Sequence, residues 1–213
     1  LLAIGSVLKR AGHKVKILDL RISSSPDEEL SSVMKSFDPK VVGIGVMTIE
    51  CKYGFIDAAK VKKINSEVTV VFGGPHCSHE PRFILNDPNV DLMVSGEGDL
   101  TIVELINTLE EGKNIESVPG IAYKKEGSYI RTADRPVIRD LDKFNQEYDL
   151  IDLERYFNFQ SSMDFFPAFR NKRFIPLVTS RGCPFKCTYC HDIFDKSIQY
   201  RSPEAVVDEI EYL

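Results

Sequence analysis

Apolar positions along the first two thirds of the chain switch between helical spacing and short continuous runs. Leu1, Ile4, Val7, Leu8 and Ala11 recur at helical spacing, and Gly12 supplies a C-terminal stop. Lys14 to Asp19, with Val15, Ile17 and Leu18 apolar, reads as a short strand. Ser25-Pro26-Asp27-Glu28 has the form of a capping box with proline at the first helical position. Leu30, Val33, Met34 and Phe37 give that helix its stripe. Val41 to Val46 is a continuous apolar run, the pattern of a strand buried on both faces of a parallel sheet. Phe55 to Ile64 predicts a helix. Val68–Phe72 and Val90–Val94 predict two more buried strands, ending at Gly73-Gly74-Pro75 and Gly96-Glu97-Gly98. Leu100, Val103, Ile106 and Leu109 mark the next helix, with Asp99 as its expected N-cap.

Strand–helix units joined by short loops imply an open parallel sheet covered on both faces, a Rossmann-like α/β fold. Such sheets bind ligands beyond the C-terminal ends of their strands, here the loops Met47–Glu50, Gly73–His79 and Gly96–Asp99. The chain opens in a helix, so the first strand of the sheet is expected to be missing. Ile121–Tyr123 and Tyr129–Arg131 around Lys124–Ser128 read as a β-hairpin. Residues 1–132 are therefore taken as one domain. Residues 133–175 follow as a linker plus an aromatic-rich stretch (Tyr156 to Phe174) suited to packing between domains. Pro176–Ser180 reads as a strand, a cysteine-rich loop follows, and Ser202-Pro203 starts a helix with Val206, Val207, Ile210 and Leu213 on its apolar face. Residues 176–213 are thus one strand–loop–helix unit of a second α/β domain.

Composition narrows the classes. The 213 residues are 43% hydrophobic and 28% charged, with a net charge of −5, which excludes a disordered or collagen-like chain and argues against a general nucleic-acid binder. No apolar run reaches the roughly 18 residues that span a bilayer. No signal-peptide pattern is visible, so a cytoplasmic protein is expected. The five cysteines are odd in number, and Cys183, Cys187 and Cys190 fall within eight residues. That bunching points to a metal or cluster rather than a disulfide framework. Cys51 and Cys77 lack paired spacing and read as buried thiols. His76 and His79 flank Cys77 without a four-ligand set around them.

The chemistry-bearing run is Arg181-Gly182-Cys183-Pro184-Phe185-Lys186-Cys187-Thr188-Tyr189-Cys190, with spacing C-x3-C-x2-C. Electron-transfer [4Fe–4S] clusters use four cysteines, so three leave one iron without a protein ligand. An open position marks a reactive metal centre. Two other readings use the same residues. Zinc would take four ligands, His191 or Cys183 joining Cys187 and Cys190. Cys187–His191 also matches the C-x-x-C-H haem-attachment pattern, which belongs to exported proteins.

The run resembles the signature of the radical S-adenosylmethionine (radical SAM) superfamily, with Tyr189 as the aromatic before the last cysteine. The resemblance implies that Cys183, Cys187 and Cys190 ligate a [4Fe–4S] cluster whose open iron takes S-adenosylmethionine. It implies reductive cleavage to a 5′-deoxyadenosyl radical, a weak contact of Tyr189 with S-adenosylmethionine, and a place for residues 176–213 at the start of a partial TIM-like barrel. No catalytic residue beyond the cluster ligands is expected in this stretch.

The upstream part resembles the cobalamin-binding domain fused before such barrels. The match rests on Ala11-Gly12-His13-Lys14-Val15, Val41-Val42-Gly43-Ile44, Gly73-Gly74-Pro75-His76 and Gly96-Glu97-Gly98-Asp99 in that order. It implies cobalamin contacts at Met47, Thr48, Gly73, Gly74, Gly96 and Gly98. Glycine suits such loops because the backbone can approach a ligand closely. The D-x-H-x-x-G motif is absent, so cobalamin would lack histidine ligation. The function implied is radical methyl transfer to an unactivated carbon of a small-molecule substrate, or ring formation or rearrangement. A one-electron donor such as flavodoxin or ferredoxin would serve it, with no nucleic-acid or membrane partner. A zinc-stabilised binding module without catalysis is the rival from another class.

Overall fold

Alternation along the strand Thr69–Gly73 explains the layering. Val70 and Phe72 point to one face of the sheet and Val71 to the other, as the two-residue period of a strand requires. The computed structural model describes residues 1–161, 173–190 and 196–213. Its main sheet has the order β1 (Val41–Gly45), β2 (Thr69–Gly73), β3 (Leu92–Val94), β4 (Ile121–Lys125) and β5 (Ser128–Arg131). β1, β2 and β3 run parallel, with Val41 opposite Thr69 and Gly45 opposite Gly73. β4 and β5 are antiparallel additions, so the Rossmann-like sheet is mixed rather than wholly parallel. The expected hairpin joins β4 to β5 through Glu126 and Gly127, both at positive φ, the backbone of a tight two-residue turn.

Helices α2 (Pro26–Phe37) and α3 (Cys51–Ile64) cover the face of Val70 and Phe72 with Leu30, Met34, Ala58 and Val61, and two short helices, α4 (Pro75–His79) and α5 (Pro81–Ile84), follow β2. Helices α1 (Leu2–Arg10) and α6 (Gly98–Glu110) cover the opposite face, where Val7, Ile102 and Leu105 meet Val71, Leu92, Val94 and Ile121. Phe72 is fully buried and stacks on Phe55 at 5.5 Å between ring centroids. Burying a side chain of that size stabilises the fold by about 2–3 kcal/mol. Asp91 replaces a missing ladder contact at the start of β2: its carboxylate accepts from Val70 N at 2.7 Å and pairs with Lys62 at 2.7 Å. The Lys62 side chain is only 18% exposed.

Five expectations in the upstream part need correction. Lys14–Asp19 forms no ladder; β1 is the edge of the sheet. The segment is held by side chains instead, Ile17 beneath Gly5 of α1 and Leu18 against the α2–α3 core. β1 itself is not buried on both faces, since Gly43 and Gly45 are exposed at that edge. Ser25 sits at the start of α2 without a side-chain cap bond, and Pro26 alone supplies the helical start. α6 keeps Val103, Ile106 and Leu109 of the expected stripe against the core, but Leu100 is exposed and Asp99, Thr101, Ile102 and Leu105 are buried. Asp99 is not the N-cap but lies in the first turn, with Glu97 at the cap position.

Residues 133–150 carry only two short 3-10 turns, Asp142–Phe144 and Tyr148–Leu150. They nevertheless pack, with Ile138, Leu141 and Tyr148 buried. Ser6 of α1 accepts from Glu147 N at 2.8 Å, and Arg135 donates to Thr101 of α6 at 2.7 Å. α7 (Leu153–Ser161) follows. Much of the aromatic stretch, residues 162–172, lies outside the described residues.

Downstream, the expected strand Pro176–Ser180 contributes little to a sheet. Only Ser180–Arg181 (β6) forms a ladder, antiparallel to Gln199–Tyr200 (β7), and Val178 is half exposed. α8 (Pro203–Tyr212) begins as expected, Ser202 Oγ accepting from Ala205 N at 3.1 Å. Its apolar side does not face the protein: Val207 and Ile210 are exposed, and Glu209 is the buried residue. Glu209 accepts from Tyr148 at 2.5 Å and pairs with Arg201, so a polar network sets the orientation of α8. Among the described residues no helix is long and apolar enough to cross a membrane.

Candidate functional site

Three loops leave the C-terminal ends of β1, β2 and β3 side by side. Val46 N donates to Gly73 O at 2.8 Å, which carries the β1–β2 pairing one step beyond the strand. Gly74 then turns away at φ +108°, and a Cβ added there would lie 2.6 Å from Val46 O. Only glycine allows this approach of two backbones. Around it, Gly73 and Gly96 open to free space, with nothing within 4 Å of an added Cβ. Met47 is 44% exposed, Thr48 is exposed, and Ile49 stands out at 84% on the Thr48–Glu50 turn. Gly96 N donates to Ser78 Oγ at 2.9 Å, tying the third loop to the second.

Five of the residues singled out from the sequence, Met47, Thr48, Gly73, Gly74 and Gly96, thus share one edge of the sheet. Gly98 has a different surrounding: an added Cβ would lie 3.3 Å from Ile4 Cδ1, so its small size serves the packing of α6 on α1. An open floor of glycine backbone with an apolar rim is a surface that a large planar ligand can approach, and the residues fit a corrinoid on that ground. The two histidines whose side chains are described both have partners elsewhere. His76 packs edge-on to Phe83 at 6.2 Å, and His13 contacts Asn107 at 2.9 Å and Glu110 at 3.5 Å on the α1–α6 side.

Cys51 and Cys77 are buried free thiols, as read from the sequence. Burial, with the Cys51 thiol beside it, pushes Cys77 up to about 12, so it stays protonated at neutral pH.

Cys183, Cys187 and Cys190 are all exposed on one loop. Cys190 N donates to Cys187 O at 3.1 Å, a turn that keeps the last two cysteines together. Among the described residues no three metal-binding side chains converge into a ligand set. Three soft thiol donors on one short accessible loop still suit an iron–sulfur cluster by chemistry. His191, the fourth ligand of the zinc alternative, lies outside the described residues. Tyr189 is 90% exposed and Phe185 69%.

The loop is anchored at its base. Gly182 turns at φ +97°, where an added Cβ would overlap Ser197 O. Arg181 forks onto Asp99 of α6 at 2.8 and 3.0 Å and approaches Glu97 at 3.7 Å. Glu97 also accepts from Ile138 N at 2.6 Å. Sequence pattern marks Asp99 as a cap and gives Arg181 no partner. An arginine two residues before the first cysteine and the acids after Gly96 and Gly98 were the available signal, but 82 residues separate Arg181 from Asp99.

Residues 1–106 match the model of the family described as B12 binding domain. They are a B12-binding domain. The chain as a whole is homologous to cobalamin-dependent radical SAM methyltransferases and cyclases. An uncharacterized methyltransferase of Pyrococcus horikoshii is 34% identical over 100% of this chain and 45% of its own length. An anaerobic magnesium-protoporphyrin IX monomethyl ester cyclase of Synechocystis is 29% identical over 100% of this chain and 42% of its own. The chain therefore spans under half the length of these relatives.

Two solved structures share its fold. One is the radical S-adenosylmethionine methyltransferase TsrM of Kitasatospora setae with cobalamin and [4Fe–4S] cluster bound, with a TM-score of 0.76 and 20% identity over 99% of this chain and 42% of that one. The other is the cobalamin-dependent S-adenosylmethionine radical enzyme OxsB with aqua-cobalamin and S-adenosylmethionine bound, with a TM-score of 0.79 and 22% identity over 99% of this chain and 28% of that one.

Proposed function

We propose that this chain is the cofactor-bearing part of a radical SAM enzyme that uses cobalamin to methylate an unactivated carbon of a small molecule. The observation that carries the reading is the conjunction, on one chain, of a B12-binding domain with a C-x3-C-x2-C loop tied to it through Arg181. When bound, the cluster would supply an electron for cleavage of S-adenosylmethionine, and the corrinoid would supply methyl-transfer chemistry.

The chain's own residues hold and orient. Cys183, Cys187 and Cys190 would ligate the cluster and leave one iron open. Met47, Thr48, Gly73, Gly74 and Gly96 would receive the corrinoid, Gly74 by keeping the floor flat and Met47 by shielding its rim from water. Tyr189 would contact S-adenosylmethionine. The reading includes residues 176–213 as the opening unit of a barrel, a flavodoxin or ferredoxin as electron donor, and a cytoplasmic setting. The similarity to the Synechocystis cyclase supports ring formation as the second reading.

The test is anaerobic purification of the full-length protein, followed by iron, sulfide and zinc analysis and optical titration with hydroxocobalamin. Iron with acid-labile sulfide and saturable corrinoid binding near one equivalent are expected, with a spectrum lacking histidine ligation. One zinc without sulfide would overturn the cluster. No corrinoid binding would overturn the cobalamin role.

A further inference from the structure

Arg181 ties the cysteine loop to the third loop of the upstream sheet through paired charges. Its side chain is 20% exposed and that of Asp99 6%. The contact is a two-pronged fork, which fixes direction as well as distance. Asp99 lies in the first turn of α6, where the helix dipole favours a carboxylate and steadies it for its partner. Three residues earlier, Gly96 N is held by Ser78 Oγ. The second glycine loop, the third glycine loop and the cysteine loop are therefore joined in series: Ser78 to Gly96, then Asp99 to Arg181. Glu97, between them, holds Ile138 of the connecting segment. Gly182 follows immediately, with no room for a side chain, so a shift of Arg181 passes directly to Cys183.

We infer that Arg181 is a positioning residue whose fork on Asp99 sets the register of the three-cysteine loop against the glycine-floored face of the sheet. This rests on the proposed cofactors for its purpose but not for its geometry. The pair fixes where the cluster loop stands relative to the corrinoid face, and loosening it lets the two drift independently.

The experiment uses the full-length chain, first without cofactors. Asp99→Asn keeps the shape of the side chain and removes its charge. Deuterium uptake by the peptide 177–190 is expected to rise at least about tenfold, with the β2 peptide unchanged, since charged hydrogen bonds of this kind govern local opening. Asp99→Glu, which retains the carboxylate, restores slower uptake. Equal uptake in parent and Asp99→Asn overturns the inference. Should Asp99→Asn exchange faster throughout, Arg181→Lys, which keeps the charge and loses the fork, is the second variant. A rise confined to 177–190 supports the inference, and a rise everywhere in both variants overturns it in favour of a general stabilising role.

The same proteins are then reconstituted with iron, sulfide and hydroxocobalamin. At equal iron and sulfide, the reduced-cluster electron paramagnetic resonance spectrum of Asp99→Asn is expected to be broader than that of the parent, and identical spectra count against the fork. A parent that takes up neither iron nor corrinoid refutes the proposed function instead and leaves the exchange comparison standing.

Discussion

The two candidate cofactor surfaces are made in opposite ways. The glycine-floored face belongs to a sheet with helices on both sides, and its shape is fixed by buried residues such as Phe72, Ile84 and Leu105. The cysteine loop hangs on a two-residue ladder and one fork, with all three thiols exposed. One surface is built by tertiary packing of residues far apart in sequence. The other is built by spacing within ten residues. A packed face holds its form with or without a ligand, whereas a loop of exposed donors gains its order from the metal it binds. Mutations should therefore separate cleanly: changes in the loop strike the cluster, and changes in the sheet strike both stability and corrinoid binding.

The largest effect tests that separation directly. Cys187→Ala in the full-length enzyme should reduce S-adenosylmethionine cleavage to background, measured as 5′-deoxyadenosine, while hydroxocobalamin titrates as in the parent. A variant that loses corrinoid binding as well would break the distinction.

Gly74→Val comes next. It forces a side chain into φ +108° and against Val46 O, and should cost about 2–4 kcal/mol in urea unfolding, with weaker hydroxocobalamin binding. Full stability would show that the two backbones part easily.

Tyr148→Phe sharpens the downstream side. It removes the 2.5 Å hydrogen bond to buried Glu209 and should cost about 1–3 kcal/mol without loss of iron from the cluster loop.

The smallest effect concerns pH. The Arg155 fork, 2.6 Å at each prong, holds Glu29 down at about 2 against an ordinary 4.5. A depressed carboxylate contributes stability above its unfolded value and loses it as pH falls toward the folded one. The stability gap between parent and Glu29→Gln should therefore be constant above about pH 4.5 and close as pH falls to about 2, and Arg155 is exposed enough to keep the gap under about 1 kcal/mol.

The sheet was legible in the sequence because its strands carry continuous apolar runs and its helices a clear 3.6-residue stripe. What escaped depended on partners distant in the chain. Lys14–Asp19 has strand composition, but composition cannot supply the neighbour that a ladder requires. Asp99 and Thr101 of α6 are buried although polar, because they are met by Arg181 and Arg135. α8 faced the opposite way for the same reason, Glu209 being drawn inward by Arg201 and Tyr148. Apolar patterning locates a helix reliably, and a buried charge with a remote partner overrides it in choosing the face. The cysteine loop was readable from spacing alone, whereas the fork that anchors it was not.

The contact of Gly74 with Val46 bears on how this face can diversify. An ordinary binding loop varies freely, because its side chains project from a scaffold that does not depend on them. Here the loop backbone is itself part of the seam between β1 and β2. Enlarging residue 74 to tune a ligand would also pry the two strands apart. Variation that changes what the face accepts is thereby channelled to Met47, Thr48 and Ile49, which project from the neighbouring turn and can be exchanged without disturbing the seam.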